Sequence, residues 1–259
     1  MSRFGHILAI ALNTFREAVR DRVLYNLVVF VLLITACAVF LGELTAGQEA
    51  RTIVNMGLGA MLLFGVFISI FVGVGLVSKE IEKKTLYTVF SKPIGRGEFI
   101  AGKYFGLCLT LLVNVFVMGV GVSIALLVVG GGSLAFSIWG AILLIYCELT
   151  IVTAIAVLFS SFSSPALSSL LTFLVFVIGH FSASLKEFAV NLGSDAAVFV
   201  FSLIYYVLPN LSHFSFATPA AHGKVPDLAT LSGTISYALV YSAVLLFATI
   251  LIFRRRNLK

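Results

Sequence analysis

Charge is what this sequence has least of. Asp, Glu, Lys and Arg make up 11% of its 259 residues and hydrophobic residues 60%, whereas a soluble domain carries roughly 25% charged residues. There is too little polar side chain to coat a folded surface, so lipid is the solvent the chain requires. No polar stretch is long enough to form a separate soluble catalytic domain. Cysteine is scarce as well. Cys37, Cys108 and Cys147 each fall inside an apolar run, which makes them small buried hydrophobes rather than a disulfide framework or a thiolate metal site. Met and Cys form no cluster that would suit copper, and His213 and His222 have no Cys or carboxylate at ligand spacing. The net charge of +6 does not indicate nucleic acid, because the basic residues sit beside apolar runs.

What is present is a series of apolar runs of about 20 residues, the length needed to cross a bilayer. They occupy 24–41, 56–77, 104–129, 137–159, 166–181 and 235–253. Lipid offers no partner for a free backbone amide, so they are expected as helices. The fold class expected is an all-α membrane protein, with residues 1–259 as one transmembrane domain. A seventh apolar stretch, 196–208, is too short to cross and ends at Pro209-Asn210. It is expected to be re-entrant or interfacial, placing Phe199, Phe201, Tyr205 and Tyr206 near the outer interface.

Basic residues set the orientation. Four Lys/Arg precede Leu24, six lie in 78–103 and four follow Phe253, against one in 42–55 and two in 182–234. Lys/Arg excess marks the cytoplasmic side, so six crossings with both termini in the cytoplasm are expected, in a plasma membrane.

The stretch 3–20 differs from the crossing runs. Phe4, Leu8, Ala11, Leu12, Phe15 and Val19 recur at helical spacing, with His6, Asn13, Glu17 and Arg20 opposite. Such a segment lies along the membrane surface. A signal peptide does not fit, because Asn13, Arg16 and Glu17 interrupt the apolar run and no small-residue cleavage site follows.

The segment 78–103 is the one sizeable inner loop expected. It is dense in charge yet carries Ile81, Leu86, Val89 and Phe90. A short helix over 81–91, broken before Pro93, would either dock a partner protein or act as a snorkelling loop that pins orientation. Within it, Gly97 to Lys103 fits the spacing of a phosphate-binding loop, but Tyr104 stands where Ser or Thr must hold magnesium and no buried strand precedes it. The match is accidental. Ser160-Ser161-Phe162-Ser163-Ser164-Pro165 is expected as a tight inner turn; no general base accompanies it.

Glu80, Glu82, Thr85-Leu86, Ser91-Lys92-Pro93-Ile94, Arg96, Glu98-Phe99 and Gly102-Lys103 resemble the loop between the second and third spans of ABC-2-type permeases. The order of surface helix, six runs, one long inner loop and a half-embedded stretch before the last run is also similar. The compact, NosY-like branch with short outer loops is the nearest in pattern. Lys83-Lys84 departs from the glycine many members carry before the threonine. The resemblance implies an export permease working as a pair with two ATPase subunits, which would bind ATP and magnesium while this chain holds no cofactor and performs no catalysis. It implies that 81–91 is a coupling helix and 3–20 a connecting, or elbow, helix. Glu80, Glu82, Thr85, Leu86, Phe90, Pro93 and Arg96 would carry the coupling. It also implies a seam between copies, where small residues would bring the second run (Gly57, Gly59, Gly65, Gly73, Gly75) against the fifth (Ala166, Ser168, Ser169).

Glu148 sits at the middle of the fourth run, where an acidic residue costs roughly 2.5–3.5 kcal/mol on insertion scales. It is either a carboxylate lining a pathway or gate, or a structural group bonded between helices, with Tyr146, Thr150 and Thr153 as neighbours. His180 is expected at the outer interface. A proton-coupled secondary transporter or intramembrane enzyme using Glu148 is the competing class. A lone carboxylate makes a poor relay, and no inverted pair of broken helices is visible.

Overall fold

The computed structural model describes residues 3–20, 22–43, 47–82, 95–191, 198–199, 201–202, 205 and 208–255. Those residues are helical apart from short connections. In chain order the helices are α1 (Arg3–Val19), α2 (Arg22–Glu43), α3 (Glu49–Glu82), α4 (Arg96–Val128), α5 (Gly132–Ser160), α6 (Pro165–His180), α7 (Ser182–Asn191), a 3-10 turn (Leu211–Phe214), α8 (Ala217–Ala221) and α9 (Leu228–Arg255). Each of the six apolar runs falls on one helix, two of them ending one residue beyond it, at Val129 and Phe181. Among the described residues, four stretches are long and apolar enough to cross a membrane: Glu49–Gly75, Arg96–Val128, Gly132–Ser160 and Leu228–Arg254. Val31–Gly42 and Pro165–His180 are shorter apolar pieces.

α5 is the axle. It is apolar around its whole circumference, packs against α3, α4, α6 and α9, and is the most buried of the long helices. A helix buried on every side is expected to lack a polar stripe. α3 reaches both α4 and α5 through its glycines. A Cβ on Gly57 would lie 2.8 Å from Val122 of α4, one on Gly65 2.5 Å from Leu149 of α5, and one on Gly73 3.1 Å from Ala156 of α5. These glycines therefore serve packing inside one chain. The seam expected from them is left with the other side of α3, where a Cβ on Gly59 would meet nothing within 4 Å and Leu63 and Phe71 are exposed. On α6, Ser168 also turns inward, sharing a hydrogen bond with Ser163.

The expected inner loop 78–103 is shorter than the charge pattern suggests. α3 continues through Glu82 and α4 begins at Arg96. The intervening 83–94, which includes Thr85, Leu86, Phe90 and Pro93, lies outside the described residues. Gly97 to Lys103 forms the first turns of α4, so it is helix rather than a phosphate-cradling loop.

α1 lies along the start of α4, a more extensive contact than any other helix pair makes. The face it uses is not the large apolar stripe. Phe4, Leu8 and Leu12 point away and stay exposed, while Ala11, Thr14 and Ala18 are buried. Facing α1 on α4 are Gly102 and Gly106, a small-xxx-small pair that lets two helix backbones meet. A Cβ on Gly102 would lie 2.6 Å from Ile10 Cβ, and one on Gly106 2.6 Å from both Ala11 O and Thr14 Cβ. Gly106→Leu is expected to lift α1 from α4 and destabilise the fold by about 1–3 kcal/mol. Loss of a disulfide engineered between α1 and α4 would report it; undisturbed cross-linking would refute the packing.

The stretch 196–208 falls mostly outside the described residues. The chain after it, expected on the outer side, packs into the bundle. Leu211, Phe214, Ala220 and Ala221 are fully buried, and Pro209 O would lie 2.5 Å from a Cβ on Gly179. α9 then starts at Asp227, whose carboxylate accepts from Thr230 N–H (3.3 Å); the hydrogen bonds from Thr230 hold it below the usual carboxylate range.

Candidate functional site

Two polar constellations stand out in an otherwise apolar bundle. The first is at the Arg96 end of α4. Arg96 Nη1 donates to Phe253 O (3.1 Å) and Arg254 O (3.0 Å), satisfying carbonyls that the end of α9 leaves without helical partners. Phe99 stacks on Phe253 with centroids 6.4 Å apart. On the other side, Glu98 Oε2 meets His6 Nδ1 at 3.0 Å and accepts from Gly95 N–H at 3.3 Å. Buried Lys103 reaches Glu17 Oε2 at 3.7 Å and lies 5.8 Å from the Phe99 ring centroid. Two turns of α4 thus hold α1 on one side and the end of α9 on the other. They follow directly on 83–94. Of the residues implied for coupling, Arg96 is in this clamp, Glu80 and Glu82 lie on the last turn of α3, and the rest are outside the described residues.

The second constellation is at the centre. Glu148 is fully buried, and its Oε1 lies 2.8 Å from His180 Nδ1. Its Oε2 has no hydrogen-bond partner among the described residues. The neighbours expected from sequence do not serve it. Tyr146 donates to Cys108 O, Thr150 to Cys147 O and Thr153 to Leu149 O. His180 is not the interfacial residue expected. α6 has 16 residues, about 24 Å at 1.5 Å per residue, so it stops at the depth of the middle of α5. The chain breaks at Phe181 and restarts as α7.

A polar cluster holds the far side of that break. Ser182 Oγ donates to Asn210 Oδ1 (2.8 Å), Asn210 N–H donates to Tyr237 OH (2.9 Å), and Asn210 Nδ2 lies 3.0 Å from His213 Nε2. Through Asn210, α7 and the 3-10 turn are tied to α9. Sequence reasoning missed Ser182, Asn210 and Tyr237. Among the described residues no group of three or more His, Cys, Asp or Glu is placed to hold a metal ion.

A bundle of long apolar helices with large apolar side chains exposed on its surface defines a multi-pass membrane protein. Family comparison then narrows the class. The chain belongs to the ABC-2 family of transporter proteins, whose family match covers residues 8–258. Comparison with curated proteins gives no match.

Proposed function

We propose that this chain is the permease subunit of an ATP-driven exporter in a bacterial plasma membrane. It would cross six times, through α2, α3, α4, α5, the broken pair α6–α7 and α9, with both termini in the cytoplasm. Two copies would form the pathway, and two separate ATPase subunits would dock on 78–103, with ATP and magnesium held by them. Within the family, the short connections at 44–48 and 129–131 favour the compact, NosY-like branch.

The observation that carries this reading is the clamp at Arg96–Lys103. A movement imposed on 83–94 enters α4 at once, and α4 grips both α1 and α9, so one push turns three helices. α1 is the elbow helix in this reading. The Glu148–His180 pair is the gate-side element: it fixes the broken end of α6 to the axle, and repacking there would open or close a route. The competing reading, a proton-coupled carrier, gains a partner for Glu148 from His180. It offers no role for the clamp.

The first test is co-purification. An affinity-tagged chain is expected to retain a Walker-type ATPase, and cysteines at Leu63 and Leu174 to cross-link between copies once Cys37, Cys108 and Cys147 are replaced. Absence of any ATPase would sink the proposal, and cross-linking through Phe116 of α4 instead would overturn the seam. Arg96→Ala is expected to weaken the clamp by about 1–3 kcal/mol, as charge-assisted hydrogen bonds are worth. It should uncouple ATP hydrolysis from transport without dissociating the ATPase, and unchanged coupling would remove the clamp from the mechanism.

A further inference from the structure

Outside both constellations, a cavity of about 410 Å³ opens between α4, α5 and α9. Its rim is exposed and apolar: Phe105 is 53% exposed, Leu143 39% and Leu239 67%. Its floor carries hydroxyls, of which Tyr104 is buried and Tyr146 half-buried. Tyr104 OH donates to Thr150 O, and Tyr146 OH to Cys108 O, both at 3.3 Å. Their donors are spent, but each phenol oxygen can still accept a hydrogen bond.

Ser242 is the exception. It lines the same cavity, is 5% exposed, and its Oγ has a polar neighbour in the Tyr104 hydroxyl but no close hydrogen bond among the described residues. On the same helix, Thr234 and Thr249 return their hydroxyls to Thr230 O and Leu245 O, the usual resolution for a hydroxyl in a membrane helix. Leaving a buried hydroxyl unmade costs free energy, which an occupant of the cavity would recover.

We propose that this groove binds, from the lipid side, an uncharged amphiphile with one hydrocarbon chain and a hydroxyl group. The volume is that of a small-molecule site with few polar groups. From Ile235 to Leu246 the groove follows α9 for eleven residues, about 16 Å, which suits one extended chain and is narrow for two. No charged residue or histidine lines it among the described residues, so an ionic head has no counter-charge. A hydroxyl accepts from Ser242 and donates to the Tyr104 or Thr150 oxygen. The inference concerns binding and does not rest on the transport reading.

The test is photolabelling of the purified full chain in nanodiscs with a long-chain fatty alcohol bearing a mid-chain diazirine, followed by peptide mapping. Adducts are expected on the peptides carrying Tyr104, Cys108, Ala238 and Ser242. Ala238→Trp, which fills the groove, should abolish them. Ser242→Ala should lower them about fivefold, the equivalent of one neutral hydrogen bond of about 1 kcal/mol, and Ser242→Thr, which keeps the hydroxyl, should lower them less. Labelling spread evenly over the exposed helix faces would overturn the proposal. Equal labelling of the groove by a diazirine-bearing diacyl phospholipid would assign it to bulk lipid and overturn it too. Spontaneous copy-to-copy cross-linking of Leu239→Cys would show a second chain covering the groove, with the same consequence.

Discussion

Replacing Leu86 and Phe90 together with aspartate is expected to abolish substrate-stimulated ATP hydrolysis while the chain still inserts and folds. The two residues sit in the segment that joins the Glu82 end of α3 to the Arg96 end of α4. An apolar side chain buried in an interface contributes roughly 1.5–3 kcal/mol, and a carboxylate in its place must also be desolvated without a partner. Two such losses exceed about 3 kcal/mol, which is more than a hundredfold in affinity. Neutralising Lys83 and Lys84 should matter far less, because exposed charge pairs are worth about 0–1 kcal/mol. Binding of the ATPase by surface resonance and its stimulated turnover read both. Normal assembly and coupling in the double aspartate variant would show that this segment is only an orientation anchor.

The second large effect is expected at the centre. His180→Leu leaves Glu148 fully buried with neither oxygen partnered, whereas Glu148→Leu leaves an imidazole that is 18% exposed and able to stay neutral. Breaking a buried pair from the side that strands the charge costs about 3–5 kcal/mol. His180→Leu should therefore be the more damaging single change, and adding Glu148→Leu to it should restore much of the lost stability. The coupling between the two sites should be large, as for residues in direct contact. Denaturation of the four proteins in detergent gives the cycle. Additive losses would mean the 2.8 Å contact carries no energy.

The helical architecture and the placing of its apolar runs were legible because lipid imposes one rule, that every backbone group be bonded within its own helix. Periodicity revealed α1 as well, but not the face it would use. Of the expected stripe, Phe4, Leu8 and Leu12 stay exposed, while Ala11, together with Ile10 and Thr14, meets Gly102 and Gly106. Small residues bury little area, so they give a weak hydropathy signal, although the spacing of Gly102 and Gly106 was there to be read. Charge marked 78–103 as a loop although both its ends are helical, since a helix leaving the membrane carries the same residues as a loop.

The Glu148–His180 pair was also present in the numbering. Glu148 lies twelve residues before Ser160 and His180 fifteen after Pro165, on helices joined by a tight turn. Antiparallel neighbours with nearly equal reach from a turn meet at equal depth. What hid it was the assumption that the fifth run crosses completely, which put His180 at the far surface. The Asn210 cluster could not be read at all, because it joins residues from three separate elements and none of them carries a periodic signal.

In the proposed function, energy enters this chain from a partner ATPase. This is tested most directly by reconstituting the chain into proteoliposomes with and without the co-purified ATPase and following efflux of a panel of candidate cargoes. Transport that requires both the ATPase and ATP is the expected result. Transport by the chain alone, driven by a proton gradient and lost in Glu148→Gln, would contradict it.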